Sequence, residues 1–165
     1  MGDEENDVPP PEKITVFPLA SADEWTADRD DATKVTAVAF VSRHSEHSDA
    51  ARATMKELSA MPEYAGMAFK VCDADESPEV VKAASVSHPI AGLPCFFFLF
   101  SGVALEQFTG NNMEKLKVCA KAAELKKKEL IVKMEKEKEE AAKRAAEEEA
   151  AAKAAAEAQE AEASA

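Results

Sequence analysis

No two cysteines in this chain stand at the spacing that metal binding or dithiol chemistry uses. The three present, Cys72, Cys95 and Cys119, lie more than twenty residues apart, and in a reducing compartment such cysteines read as small core residues. No lysine or arginine cluster stands free of acidic neighbours. A net charge of −12 and a pI near 4.8 repel phosphate backbones, which argues against nucleic acid as a partner. Long apolar runs are missing too, so no stretch approaches a membrane span. The start, Met1-Gly2-Asp3-Glu4-Glu5-Asn6-Asp7 followed by Pro9-Pro10-Pro11, has neither the cationic nor the apolar part of a signal peptide. The expectation is therefore a cytoplasmic chain. Neither glycine nor proline occurs after Gly110, so nothing in the last third breaks a helix.

The apolar fraction of 46% looks ample for a core, but much of it is alanine in the last third, where Ala, Glu and Lys dominate from about Glu124 onward. Three segments follow: an acidic, Pro-rich leader over 1–12, expected to be disordered, a packed domain over 13–123, and a helical extension over 124–165. The domain is organised around Gly92-Leu93-Pro94-Cys95-Phe96-Phe97-Phe98-Leu99-Phe100. Six apolar residues in a row are too continuous for a one-sided strand and too short and aromatic for a buried helix. They predict a strand buried on both faces, and hence a sheet between helical layers. The Gly-X-Pro entry places proline at the strand's first residue or in a tight, cis turn.

Lys13-Ile14-Thr15-Val16-Phe17 alternates as a short strand ended by Pro18. Ser21 then caps a helix anchored by Trp25, and Asp28-Arg29-Asp30-Asp31 closes that helix and solvates the turn. Val35–Val41 is a β-branched run and a second central strand. A polar loop, Ser42–Ser48, leads to Ala51, Met55, Leu58 and Met61 at helical spacing, with Pro62 as the stop. Ala68–Cys72 makes a third strand. Ser77 caps a helix with Pro78 at its first position and Val80, Val81 and Ala84 on the buried side. After the organising strand come a turn at Ser101-Gly102 and an antiparallel strand over Ala104–Phe108. Asn111 with Glu114 forms a capping box for a helix whose apolar face holds Leu116, Ala120 and Ala123. This order of elements predicts an α/β fold, a mixed sheet flanked by helices.

In that order the residues resemble the thioredoxin family over about Lys13 to Ala123. The resemblance is carried by Val38-Ala39-Phe40-Val41-Ser42, Cys72-Asp73-Ala74-Asp75-Glu76-Ser77-Pro78, Gly92-Leu93-Pro94, Phe100-Ser101-Gly102 and Phe108-Thr109-Gly110. It implies a thioredoxin-like mixed sheet and a cis Leu93–Pro94 bond. It also implies a degenerate active site. The family's Cys-X-X-Cys positions fall at Ser45-Glu46-His47-Ser48, its buried acid at Ala39, and its tryptophan before the first cysteine at His44. Two serine hydroxyls have no accessible two-electron couple, so dithiol chemistry cannot run there. The loop Ser87-His88-Pro89-Ile90-Ala91 is also a few residues longer than the family's. The expectation is a redox-inactive docking module, as in the N-terminal domain of multidomain glutaredoxins.

Other chemistries compete for the same place. His44, Glu46, His47 and His88 are plausible zinc ligands if the fold brings them together, but their spacing matches no metal motif, and the solvated-loop reading is preferred. A serine nucleophile at Ser45 or Ser48 with His47 as base is weaker still. Cys95 is the one possible reactive thiol, although its strand is apolar and no cationic neighbour is visible. Neither cofactor nor metal is expected. In the extension, a single helix is expected from about Asn112 to near Ala156. It is supported by i,i+4 pairs such as Glu124/Lys128 and Glu149/Lys153, and frays beyond Lys153, where no basic residue balances Glu157, Glu160 and Glu162. Leu130, Ile131 and Met134 are its partner-helix contacts in a coiled-coil-like pairing, a solvated single helix being the other reading. The whole is expected to be a structural or adaptor subunit bound to protein partners in a multi-subunit assembly. A monothiol oxidoreductase using Cys95 is the alternative, and a cilium or flagellum axoneme is an address by fold analogy only.

Overall fold

The computed structural model describes residues 15–164. The leader over 1–12, and Lys13 and Ile14 of the first expected strand, lie outside the described residues. The chain divides into two compact units, one ending at Glu124 and one beginning at Leu125.

Five strands form one sheet: β1 (Val16–Pro18), β2 (Thr36–Val41), β3 (Ala68–Asp73), β4 (Cys95–Phe100) and β5 (Val103–Thr109). Their spatial order is β1-β3-β2-β4-β5. β3 runs parallel to both β1 and β2, whereas β4 runs antiparallel to β2 and β5. Three helices connect them: α1 (Ala22–Asp30), α2 (Glu46–Ala60) and α3 (Pro78–Ser87). The last helix, α4, spans Met113–Ala163.

β2 and β4 are buried at every residue, because each has neighbours on both edges and helices over both faces. This is the two-sided burial expected from their unbroken apolar runs. Alternate residues point to opposite faces. On one face Val38, Phe40, Cys95, Phe97 and Leu99 join Trp25 of α1 and Val80 and Ala84 of α3 in a single cluster. On the other lie Ala37, Ala39, Phe96, Phe98 and Phe100, all buried, and Phe96 stacks on Phe108 of β5 with ring centroids 6.1 Å apart. The hairpin turn needs positive φ at both central residues, which Ser101 (50°) and Gly102 (81°) supply. One residue is inserted in β5 opposite Phe98/Leu99, a bulge that turns Leu105 inward.

Several local expectations need correction. Pro18 ends β1 as its last residue and not from outside it; β1 is an edge strand, where a proline is tolerated. Asp28 does not solvate a turn: it is largely buried and pairs with Lys70 of β3 at 2.8 Å. The polar loop is shorter than expected, since α2 already begins at Glu46. Ser77 occupies the N-cap of α3 without capping it, its hydroxyl donating to the Ala20 carbonyl at 3.4 Å instead. The cap of α4 is Asn112, whose side-chain oxygen accepts from Lys115 N–H at 3.1 Å. The capping box on Asn111 and Glu114 was thus misplaced by one residue. Finally, α4 does not fray beyond Lys153 but continues to Ala163. Among the described residues, no helix is long and apolar enough to cross a membrane.

Candidate functional site

Ser45 and Ser48, the positions to which the resemblance assigns the family's dithiol, lie where β2 gives way to α2. The chain leaves β2 at Val41, turns through Ser42–His44 and enters α2 with Ser45 at the N-cap. Ser45 N–H donates to the Ser42 carbonyl at 3.2 Å and Ser48 N–H to the Ser45 carbonyl at 3.1 Å. The Ser45 hydroxyl makes no capping bond. Ser48 is buried, and its Oγ accepts from Ser42 N–H at 2.9 Å. That hydroxyl is spent on closing the turn, not aimed at a substrate.

An acidic loop after β3 holds the turn from the other side. Asp75 accepts from Ser42 Oγ at 2.7 Å and from Arg43 N–H at 3.0 Å. The Ser42 hydrogen bond foremost holds the Asp75 carboxyl below the usual carboxylate range, with the Arg43 N–H and the charges of His44 and Arg43 assisting. Arg43 pairs with Glu76 at 2.6 Å and Arg52 with Asp73 at 3.1 Å. Asp73 Oδ1 in turn accepts from the N–H groups of Asp75 and Glu76.

The third side comes from β4 and the entry to α4. The register Phe40↔Cys95 puts Pro94 across from the end of β2. Its bond to Leu93 is cis, as the resemblance implies, and its carbonyl accepts from Gly110 N–H at 3.0 Å. Asn111, released from its expected capping role, donates from Nδ2 to His47 Nδ1 at 3.2 Å. Thus Ser45, Glu46, His47, Ser48 and Pro94 are gathered at one end of the sheet.

His88 is not among them. It caps the C-terminus of α3, its ring centroid 6.0 Å from Trp25 and 5.8 Å from Phe97, with Ser87 Oγ 2.8 Å from Nδ1. Its neighbours belong to the α1/α3 face, so it does not converge with His44 and His47 as a zinc site would require, and the preferred reading as a solvated loop residue gives way to a half-buried ring at the end of α3. Among the described residues, no three His, Cys, Asp or Glu side chains are placed to hold a metal ion. Ser45 and Ser48 lie on one helical turn with His47, whose Nδ1 faces Asn111.

Cys95 follows Pro94 but points into the core. It is fully buried, and Thr109 Oγ1 and Gln107 Nε2 approach its sulfur at 3.8 and 3.9 Å. Burial pushes its thiol up, outweighing both contacts. Cys72 is pushed up to about 12, by burial first and then by Asp73 and Glu79. Neither sulfur is poised as a thiolate at neutral pH. Ala39, where the resemblance puts the family's buried acid, is buried among apolar residues.

The environment of His88 has a measurable consequence. Burial against the aromatic rings, and secondarily the charge of Arg29, hold its imidazole below the ordinary value of 6.5. Between 6.5 and that lower folded value, the unfolded chain binds the proton that the folded chain refuses. Stability therefore falls as pH drops through this window and gains nothing from His88 above it. Urea midpoints at about pH 7.5 and about pH 5.5 should differ less for His88→Gln than for the wild type. Parallel pH profiles would refute this account.

No protein-family profile and no curated protein sequence matches the chain. Solved structures do match it. A thioredoxin from Malassezia sympodialis is similar at 18% identity, covering 66% of this chain and 90% of that one, with a TM-score of 0.57. Thioredoxin from Trypanosoma brucei brucei matches at 19% identity over 76% of this chain and 99% of its own, with a TM-score of 0.55. A poplar thioredoxin h matches at 26% identity over 66% and 95%, with a TM-score of 0.53. The mixed sheet, its flanking helices and these structural neighbours together show a thioredoxin-like domain.

Proposed function

We propose that this chain is a redox-inactive, structural or adaptor subunit of a larger protein assembly, docking through the face around Ser45–Ser48 and Pro94 and through α4. The observation that carries this reading is Ser45 and Ser48 at the two dithiol positions, with the Ser48 hydroxyl buried and bonded to Ser42 N–H. A site without sulfur has no electron pair to exchange with a disulfide. The monothiol alternative is opposed by Cys95, whose sulfur faces the core and whose thiol is pushed up. The thioredoxin-like scaffold then serves as a rigid body that presents surfaces.

On α4 the docking residues in this reading are Leu130, Ile131 and Met134, the last of which is 41% exposed. The cytoplasm is the proposed compartment, and a cilium or flagellum axoneme is proposed from fold analogy alone. The test is purification of the tagged full-length chain from its native cell at low salt. Ile131→Asp and Met134→Asp should each lower partner recovery several-fold, and more than alanine-to-serine changes in the alanine-rich end. Undiminished recovery with both aspartate variants would remove α4 from the docking surface.

A further inference from the structure

The second unit is helical from Leu125 to Ala163, and its charge is sorted along its length. Residues 125–138 carry Lys126, Lys127, Lys128, Lys133, Lys136 and Lys138 against Glu129, Glu135 and Glu137. Residues 139–164 carry Glu139, Glu140, Glu147, Glu148, Glu149, Glu157, Glu160 and Glu162 against only Lys143, Arg144 and Lys153. One end is basic and the other acidic.

The acidic end lies where a lone helix least tolerates it. Unpaired carbonyls give the last turn of a helix a negative partial charge, and anionic side chains there are destabilising. α4 nevertheless runs through Glu157, Glu160 and Glu162 to Ala163 with no basic residue in its last turn. A cationic surface from outside the helix would offset that repulsion. The basic end shows the complementary deficit. Leu125 is 62% exposed and Val132 64% exposed. Seven residues apart, they share one side of the helix, while Met134 lies roughly opposite. Apolar residues on more than one side of a charged helix call for cover that the helix itself does not supply.

We propose that the second unit pairs antiparallel with the same unit of a second copy of this chain, the basic end of each lying against the acidic end of the other. A second copy supplies both complements at once, a lysine-rich segment for the acidic end and a glutamate-rich segment for the basic end. The two-fold axis makes the two contacts equivalent. A parallel pairing in register would set lysine against lysine and glutamate against glutamate, which the same charges oppose. Leu125 and Val132 then lie against a partner segment in which every apolar residue is alanine. This inference rests on the reading of α4 as a docking element and gives an occupant to its Leu125 and Val132 side, roughly opposite Met134.

Sedimentation equilibrium of the full-length chain should show a dimer that weakens at high salt, where the Debye length falls from about 10 Å at 0.1 M to about 3 Å at 1 M. Lys128→Glu, Lys136→Glu and Lys138→Glu combined should give a monomer, as should Glu157→Lys, Glu160→Lys and Glu162→Lys combined. An equimolar mixture of the two variants should restore the dimer. All six positions are exposed, so circular dichroism should show each variant folded. For orientation, full-length Lys128→Cys and Glu160→Cys chains, each with Cys119→Ser, should cross-link to each other through a flexible bismaleimide in preference to themselves. A monomeric wild type, variants that dimerise as the wild type does, or preferential Lys128→Cys self-linking would each overturn the pairing. If the wild type is monomeric but Ile131→Asp still loses partner recovery, the pairing fails and the adaptor reading stands.

Discussion

Phe97→Ala should destabilise the fold by about 3 to 5 kcal/mol, the range expected for truncating a fully buried aromatic side chain. A domain of ordinary stability has about 5 to 15 kcal/mol in total, so the variant should be partly unfolded at room temperature. The size of the effect follows from what the ring touches. Its centroid lies 5.7 Å from Phe40, 5.8 Å from His88 and 6.4 Å from Trp25, all edge-on. Each such pair adds about 0.5 to 1.5 kcal/mol beyond burial, and the cavity left behind is walled by β2, β4 and α1, none of which is free to collapse inward. Phe17→Ala is the control: that ring is 52% exposed on edge strand β1, and its loss should be small by comparison. Urea titration followed by the fluorescence of the single tryptophan, Trp25, reads both. A Phe97→Ala loss no larger than that of Phe17→Ala would mean that the cluster is not the centre of the core.

The second large effect is a gain. Wild-type protein should not accelerate the reduction of insulin disulfides by dithiothreitol, whereas Ser45→Cys combined with Ser48→Cys should form an intramolecular disulfide and acquire measurable reductase activity. The positions are already arranged for it. Ser45 is the N-cap of α2 and Ser48 lies one turn on, so the first thiolate would sit at the positive end of the helix, which lowers its pKa. Replacing Ser48 weakens the hydroxyl contact with Ser42 N–H, a cost of about 1 kcal/mol that the fold can bear. With Ala39 in place of an acid, the gained rate should stay well below that of a native thioredoxin. Mass spectrometry of the oxidised variant settles whether the bond forms. Five free thiols after oxidation, instead of the three native ones, would show that the β2–α2 turn does not bring the side chains together.

How much was legible in the sequence depended on whether a residue's surroundings are local. Cys95–Phe100 announced itself because burial on both faces requires apolar residues at every position, a pattern that helices and one-sided strands do not demand. Counting along the chain from Phe40 placed Ser45 and Ser48 at the start of α2, where the structure has them; that they stand in for a dithiol is what the resemblance implies. His88 was not legible in this way. A histidine beside Pro89 in a polar loop reads as solvated, and only the return of β4 next to α1 brings Phe97 and Trp25 against it. The same holds for Asp28, whose polar neighbours hid the fact that Lys70, forty-two residues on, arrives beside it. Asn111 and Asn112 are chemically equal caps, and a one-residue choice between them depends on where the backbone turns after Gly110. The last turns of α4 were misjudged because unbalanced charge was given more weight than the helix propensity of alanine and glutamate, which carries α4 to Ala163.

The sheet order has a consequence for how the molecule breathes. β2 pairs with β3 on one side and β4 on the other, so its amide protons are covered from both edges and both faces. They can exchange with solvent deuterium only when the whole domain opens, and their exchange rates should report the global unfolding free energy. β1, three residues long at the sheet margin, can detach without disturbing that centre. The molecule should therefore show two tiers of protection, with an outer strand that opens often and a core pair that opens only when everything does.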